Sequence, residues 1–354
     1  MRVGITGMVR RLAAVLVVAA PLAAQQSATV TVSGVGYLHY RYQLDTDSSL
    51  ASPARRNNFE VDRSYITLSA RLPDGVAARI TTDIDRRAAN SNQQTFRLKY
   101  AYAAWTPEGS ALTWKLGMIQ TPVIEFLEQL WDYRMQGPVA LDRQGVLTSS
   151  DIGLSVQGAW GREQVSVAAG VFNGEGYSRA PGEPGKDVAA RVSVRLAATD
   201  TTTATSGLRA TGYLHYGKAN GGGTRLRMMG LLSYQTRRLT VGAEYTVTRD
   251  STGALSPETA GSLASTYAVY RLGDGRSAVL ARYDRHDPDT DTDPTGPSLA
   301  TGVQQRVIVG ASHWLTRNLR VLLDADLLSL EHGSPDNAFN ANRRTLYFHT
   351  EFRF

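Results

Sequence analysis

From residue 32 to the C-terminus, apolar residues alternate with polar or small ones over segments of about ten residues. The clearest run sets Val188, Ala190, Val192, Val194 and Leu196 against Ala189, Arg191, Ser193 and Arg195. Val76, Ala78, Ile80 and Ile84 oppose Arg79, Thr81, Asp83 and Asp85 in the same way, as Leu239, Val241, Ala243, Tyr245 and Val247 oppose Thr240, Glu244 and Thr246. A period of two is that of strands with unlike faces, one suited to lipid and the other to water. Long helical periodicity is almost absent. The pattern predicts sixteen strands, over 32–44, 59–72, 76–86, 95–106, 111–119, 150–160, 164–172, 187–196, 208–216, 225–234, 238–249, 262–272, 276–286, 301–314, 318–331 and 342–354. Alternation is broken in 225–234, 262–272 and 301–314.

The connections alternate in length. Tight turns such as Pro73-Asp74-Gly75 and Gly273-Asp274-Gly275 are followed by long Gly/Pro/Asp-rich segments at 45–58, 87–94, 120–149, 173–186, 217–224, 250–261, 287–300 and 332–341, and only 197–207 is a long, Thr-rich exception among the turns. An even number of strands with short turns at one end and long loops at the other predicts an all-β fold, a transmembrane antiparallel β-barrel of 16 strands in the bacterial outer membrane. A soluble sandwich is the competing architecture. Against it stand aromatic residues near predicted strand ends (Tyr37, Tyr40, Tyr42, Tyr100, Tyr102, Trp105, Trp160, Tyr234, Trp314), which suit interfacial girdles, and strand glycines at 117, 153, 158 and 170, which suit bends. The closing segment, Leu346 to Phe354, alternates strictly and ends on phenylalanine, like the C-terminal assembly signal of outer-membrane proteins.

Composition narrows the class. The 354 residues are 42% hydrophobic and 20% charged, with 33 glycines and no cysteine, so disulfide and thiolate chemistry are absent. Residues 1–24 read as a cleaved signal peptide: Arg2, Arg10 and Arg11 precede the apolar stretch Leu12–Ala20, and Pro21-Leu22-Ala23-Ala24 supplies the cleavage site. Removing those three arginines lowers the formal charge from +6 to +3, leaving a single domain over 25–354 with no nucleic-acid signature.

Three segments carry a family resemblance. Phe59 to Asp85 (FEVDRSYITLSARLPDGVAARITTDID), Gly117 to Glu125 (GMIQTPVIE) and Val171-Phe172-Asn173-Gly174 resemble the phosphate-selective porin O and P family. The resemblance implies a sixteen-stranded barrel, a homotrimer, a constriction loop opening at Gly117, and passive uptake of anions such as phosphate or polyphosphate.

The strand period also sorts charges by face, because a lipid-facing charge at mid-depth costs roughly 2–4 kcal/mol. It sends Arg71, Arg79, Arg97, Lys99, Lys115, Arg191, Arg195, Arg209, Arg225, Arg227, Arg282, Arg306, Arg320 and Arg353 to the lumen. The carboxylates Asp83, Asp85, Glu244, Asp284, Asp324, Asp326 and Glu351 accompany them. A basic wall favours anions, and the arginine fork fits carboxylate or phosphate oxygens. Pairing across strands, as of Arg79 or Arg97 with Asp83 or Asp85, would leave a general, non-selective pore instead.

The connection 120–149 is the longest. Thr121 can cap a helix and Pro122 fits its first turn, with Val123, Phe126, Leu127, Leu130 and Trp131 on one side and Glu125, Glu128 and Asp132 on the other. By the resemblance, this loop folds inward and narrows the barrel, placing the three carboxylates against the basic wall and Arg134 and Arg143 beside the solute. An external lid or subunit latch is the alternative. The acidic run Asp287 to Asp293 lacks the glycine and terminal glutamate of a calcium loop and reads as a solvated loop, so no metal or cofactor is expected. Ser312 and His313 are adjacent on one strand, point to opposite faces and cannot pair, which argues against an enzyme. A non-conducting adhesive or structural barrel is the remaining alternative.

Overall fold

The computed structural model describes residues 28–46, 55–86, 93–180, 182, 184–218, 222–290, 302–330 and 342–354. Residues 1–24 and the end of the acidic run, Asp291 to Asp293, lie outside them. Sixteen antiparallel strands close a barrel in sequence order: β1 (Thr29–Gln43), β2 (Asn57–Arg71), β3 (Val76–Arg86), β4 (Gln94–Trp105), β5 (Leu112–Gln120), β6 (Ser150–Trp160), β7 (Val165–Phe172), β8 (Asp187–Ala197), β9 (Gly207–Lys218), β10 (Thr224–Gln235), β11 (Leu239–Asp250), β12 (Thr259–Leu272), β13 (Ser277–Asp287), β14 (Gln304–Thr316), β15 (Leu319–Leu330) and β16 (Arg343–Arg353). Every predicted strand is present, with ends within a few residues. The three strands with broken alternation are among them.

Closure removes the free sheet edges that an open structure of this length would expose. At the seam β1 pairs with β16 from Val35↔Arg353 to Gln43↔Thr345. Gly34 and Gly36 lie beneath the rings of Phe354 and Phe352, and a β-carbon at either position would run into those rings. The terminal phenylalanines therefore lie across the seam on a surface kept bare for them.

The faces are inverted relative to a water-soluble protein. Phe59, Leu116, Leu323 and Leu232 are among many apolar side chains exposed outward, whereas Asp83, Arg209, Thr240 and Glu351 point inward and are buried. No helix among the described residues is long and apolar enough to cross a membrane.

Two bulges reset the facing. In β2, Tyr37 pairs with Arg63 but Leu38 with Val61, leaving Asp62 as the extra residue. In β4, Thr81 pairs with Tyr100 but Thr82 with Leu98, leaving Lys99 as the extra one. In consequence Arg97, Lys99, Tyr100 and Tyr102 all turn inward. The girdle assignment is thus corrected for Tyr100 and Tyr102, and also for Tyr37, which is buried in the lumen, and for Trp314, whose ring lies under the luminal guanidiniums of Arg320 and Arg353. Trp105, Trp160 and Tyr234 do face outward.

Candidate solute passage

Residues 121–149, between β5 and β6, fold into the barrel. They form α1 (Ile124–Leu130) and α2 (Ala140–Arg143). The helix stops one residue inside its apolar stripe at each end. It starts at Ile124 with Val123 at the N-cap and no side-chain cap, because the Thr121 hydroxyl donates instead to the Thr148 carbonyl (2.6 Å) and ties the two ends of the loop together. Gly117 shapes the approach. Its φ of +130° and its contact with the Ala101 carbonyl exclude a side chain, so β5 presses against β4 just before the loop departs.

Apart from Phe126, which also borders the open side beneath Arg191, the apolar stripe docks on the wall rather than facing the pore. Val123, Phe126, Leu127, Leu130 and Trp131 are buried in one cluster with the inward side chains Leu231, Leu263, Val269, Leu280, Ile308 and Leu322 of β10 to β15. Polar ties fix the register: Tyr133 and Ser312 share a hydroxyl hydrogen bond (2.8 Å), Arg282 Nη1 donates to the Pro138 carbonyl (2.9 Å), and Arg320 Nη2 donates to the Asp132 carbonyl (2.6 Å). The Arg320 guanidinium is held between the rings of Tyr133 and Trp314, at 4.6 and 4.8 Å. The loop therefore fills the β10–β15 side of the lumen.

What remains open lies between the loop and β1 to β8. One cavity of about 330 Å³ is lined by Tyr37, Tyr65, Thr67, Arg79, Lys99 and Tyr100 on the wall and by Glu125, Glu128, Asp132 and Arg134 on the loop. A second, of about 300 Å³, is lined by Thr113, Ser155, Gln157, Ser166 and Arg191 on the wall and by Pro122 and Phe126 on the loop. Both share Gln120, Glu125 and Gln129, so they meet at the first turn of α1.

The inward cations separate into two groups. Those with carboxylate partners include Arg97 with Asp83 and Asp85 (2.7 Å each), Arg225 with Asp187 (3.1 Å), Arg306 with Asp326 (2.7 Å) and Arg320 with Glu351 (2.7 Å). Arg227 pairs with Asp250, Arg282 with Asp284 and Arg353 with Glu351. In the other group, Arg79 Nε donates to the Thr81 hydroxyl (3.0 Å) and Lys99 Nζ to the Tyr65 hydroxyl (3.2 Å). Lys115 Nζ donates to Gln120 Oε1 (3.4 Å), and Arg191 donates to the Pro122 carbonyl (3.0 Å) and the Ser166 hydroxyl (3.1 Å). Arg209 spends its donors on the Ser206 and Glu163 carbonyls and the Ser193 hydroxyl, and Arg195 donates to the Arg162 carbonyl. Among the described residues these six have no carboxylate ion pair. Arg71 sits exposed at the end of β2 near the short turns.

Arg134 lies on the cavity, 3.7 Å from Glu128. Arg143 is wedged against the wall, its Nη2 donating to Gln136 Oε1 (2.7 Å) and its Nη1 lying 3.7 Å from Asp326. Burial, with Arg282 and Arg306 alongside, lowers its pKa to about 9. Of the cross-strand pairings that would leave a general pore, Arg97 makes its own with Asp83 and Asp85, whereas Arg79 stacks on Tyr100 at 4.7 Å.

Sequence reasoning missed Arg63, which the bulge at Asp62 turns onto Asp83 and Asp85. It also missed Tyr177 and Ser178 in the loop after β7. Tyr177 donates to Asp83 (3.2 Å) and covers Arg97 at 4.6 Å, and Arg97 donates to Ser178 (2.9 Å). No periodic signal marks a loop tyrosine that reaches across a lumen.

Among the described residues no cluster of His, Asp or Glu is placed to hold a metal ion. Ser312 is inward and His313 outward, as adjacent strand residues must be. His313 Nδ1 instead meets Ser277 across the strands (2.9 Å) on the exposed outer wall, with no carboxylate bonded to it among the described residues.

The anion-selective porin from Comamonas acidovorans superposes on this barrel with a TM-score of 0.70 at 13% identity, over 93% of this chain and 100% of that one. The fold is that of outer-membrane porins. The outer membrane channel DcaP of Acinetobacter baumannii (TM-score 0.66, 10% identity, 93% and 98% covered) and the trimer form of OmpT from Vibrio cholerae (0.59, 12%, 93% and 100%) share it. No protein-family model matches the chain, and no characterised protein matches it by sequence, so the likeness to the O and P porins stays one of short motifs on a shared porin fold.

Proposed function

We propose that the chain is an outer-membrane porin that admits small hydrophilic solutes by passive diffusion and prefers anions. The observation that carries this reading is the set of Arg79, Lys99, Lys115 and Arg191, which line or border the open side of the lumen with no carboxylate ion pair among the described residues. The paired cations contribute little net field, because each carries its own counter-charge. The outward apolar surface supports a lipid setting. Anion selectivity of a same-fold porin is consistent with the reading, as is a homotrimer given the trimeric relative, while phosphate as the preferred solute rests on the short motifs alone.

Reversal potential in a KCl gradient across a planar bilayer tests it. The expected result is a discrete open step with chloride favoured. A potassium-favouring potential overturns the anion preference, and no conductance overturns the porin. The extent of ion pairing along β3, β4 and β13 to β16 favours, as the second reading, a general pore, for which the same measurement returns a potential near zero.

A further inference from the structure

We propose that the cavity between β1–β4 and α1 binds a hydroxylated monocarboxylate of sugar-acid size, its carboxylate on Arg79 and Lys99 and its hydroxyls on the loop carboxylates. This deepens the porin reading and rests on it.

The cavity holds about 330 Å³, the share of roughly eleven waters in the liquid, and so accepts a solute of about a dozen non-hydrogen atoms. Its two walls ask for opposite chemistry. On the barrel side, an ammonium carries three N–H donors and a guanidinium five. Lys99 spends one on Tyr65, its charge otherwise facing the rings of Tyr65 and Tyr100 at 4.7 and 5.6 Å, and Arg79 spends one on Thr81. The acceptor these donors lack is an anion. The Thr67 and Thr81 hydroxyls, 2.9 Å apart, lie beside them.

On the loop side, Glu125, Glu128 and Asp132 are acceptors only, so a solute that spans the cavity must present donors there. These donors need not be charged. Asp132 is already engaged by Arg320 (3.2 Å) and Arg353 (3.4 Å), and Glu128 lies near Arg134, so the wall keeps its acceptor geometry while much of its negative charge is offset. A bare anion leaves that wall unsatisfied, and a neutral sugar leaves Arg79 and Lys99 unsatisfied. A zwitterion brings a positive charge where the field is already compensated. A hydroxylated carboxylate satisfies both walls.

The test is current block in planar bilayers by gluconate, acetate, glucose, glycine and inorganic phosphate. The expected result is gluconate blocking at about tenfold lower concentration than any of the others, the margin of one charge-assisted hydrogen bond. Lys99→Met should weaken block by gluconate and acetate alike, with Arg79→Gln as the substitute if that variant fails to refold. Glu128→Gln should weaken gluconate block while leaving acetate block equal or stronger, because only the hydroxyls use that wall. Equal block by gluconate and acetate, or stronger block by glycine or phosphate, overturns the proposal while leaving a conducting porin. Absence of conductance overturns the porin reading itself.

Discussion

Lys99 and Arg97 sit two residues apart on β4 and have opposite electrostatic fates. Arg97 holds Asp83 and Asp85 in a buried cluster with Arg63, whereas Lys99 donates to the Tyr65 hydroxyl, lies against tyrosine rings and, among the described residues, has no carboxylate ion pair. Substitution separates them. Lys99→Met removes a field-producing charge, so we expect the reversal potential to move toward potassium with the unfolding midpoint little changed. Arg97→Met strips one partner from two buried carboxylates and is expected to cost about 3 kcal/mol or more, read as a lower midpoint in urea. Arg143→Met should behave differently again. It removes a buried guanidinium crowded by Arg282 and Arg306 while Arg306 still pairs Asp326, so stability should hold or rise, measured the same way. None of these distinctions is legible in the sequence: the strand period assigns a face to a charge, and only the bulges and cross-strand registers decide what that charge meets.

At the scale of elements, the third loop and the wall it lies on explain where sequence patterning faltered. The strands with broken alternation, at 225–234, 262–272 and 301–314, are β10, β12 and β14, which present Leu231, Leu263, Val269 and Ile308 inward. They are apolar on both faces because lipid is the expected neighbour of one and the loop is the neighbour of the other. Broken alternation in a barrel strand therefore marks a docking surface, and the sequence held that signal unread. Trp131→Ala should release this contact at a cost of about 3–5 kcal/mol, seen as excess open-channel noise with the barrel still folded. The seam offers a second test. Gly34→Val places a side chain where the Phe354 ring lies, and the expected outcome is a slower closing step, followed by heat-modifiable mobility on gels during refolding.

For the whole molecule, strand number, closure and the separation of loop and turn ends were legible because lipid enforces a strict two-residue code, while the inward reach of Tyr177 and the β10–β15 docking depend on contacts distant in sequence. One tie spans the seam at the loop end. Asp45 accepts from Arg344 Nη2 (2.7 Å) and from its backbone amide (2.6 Å), and the Arg344 hydrogen bonds hold the Asp45 carboxyl below the usual carboxylate range. A depressed carboxylate pKa stabilises above its unfolded value and loses that contribution as pH falls through the folded one. The protection of the Arg344 amide, its exchange rate relative to that of the unstructured chain at the same pH, should therefore hold at neutral pH and fall only in acid below the ordinary carboxylate range, a dependence that Asp45→Asn abolishes. The loop's docking site carries a consequence for biogenesis. Residues 121–149 are made long before β10 to β15, so their apolar stripe has no partner while the first half of the chain emerges. Until those strands are in place that stripe must be shielded by something other than the barrel, and the later strands, on arrival, find their inner lining already waiting for them.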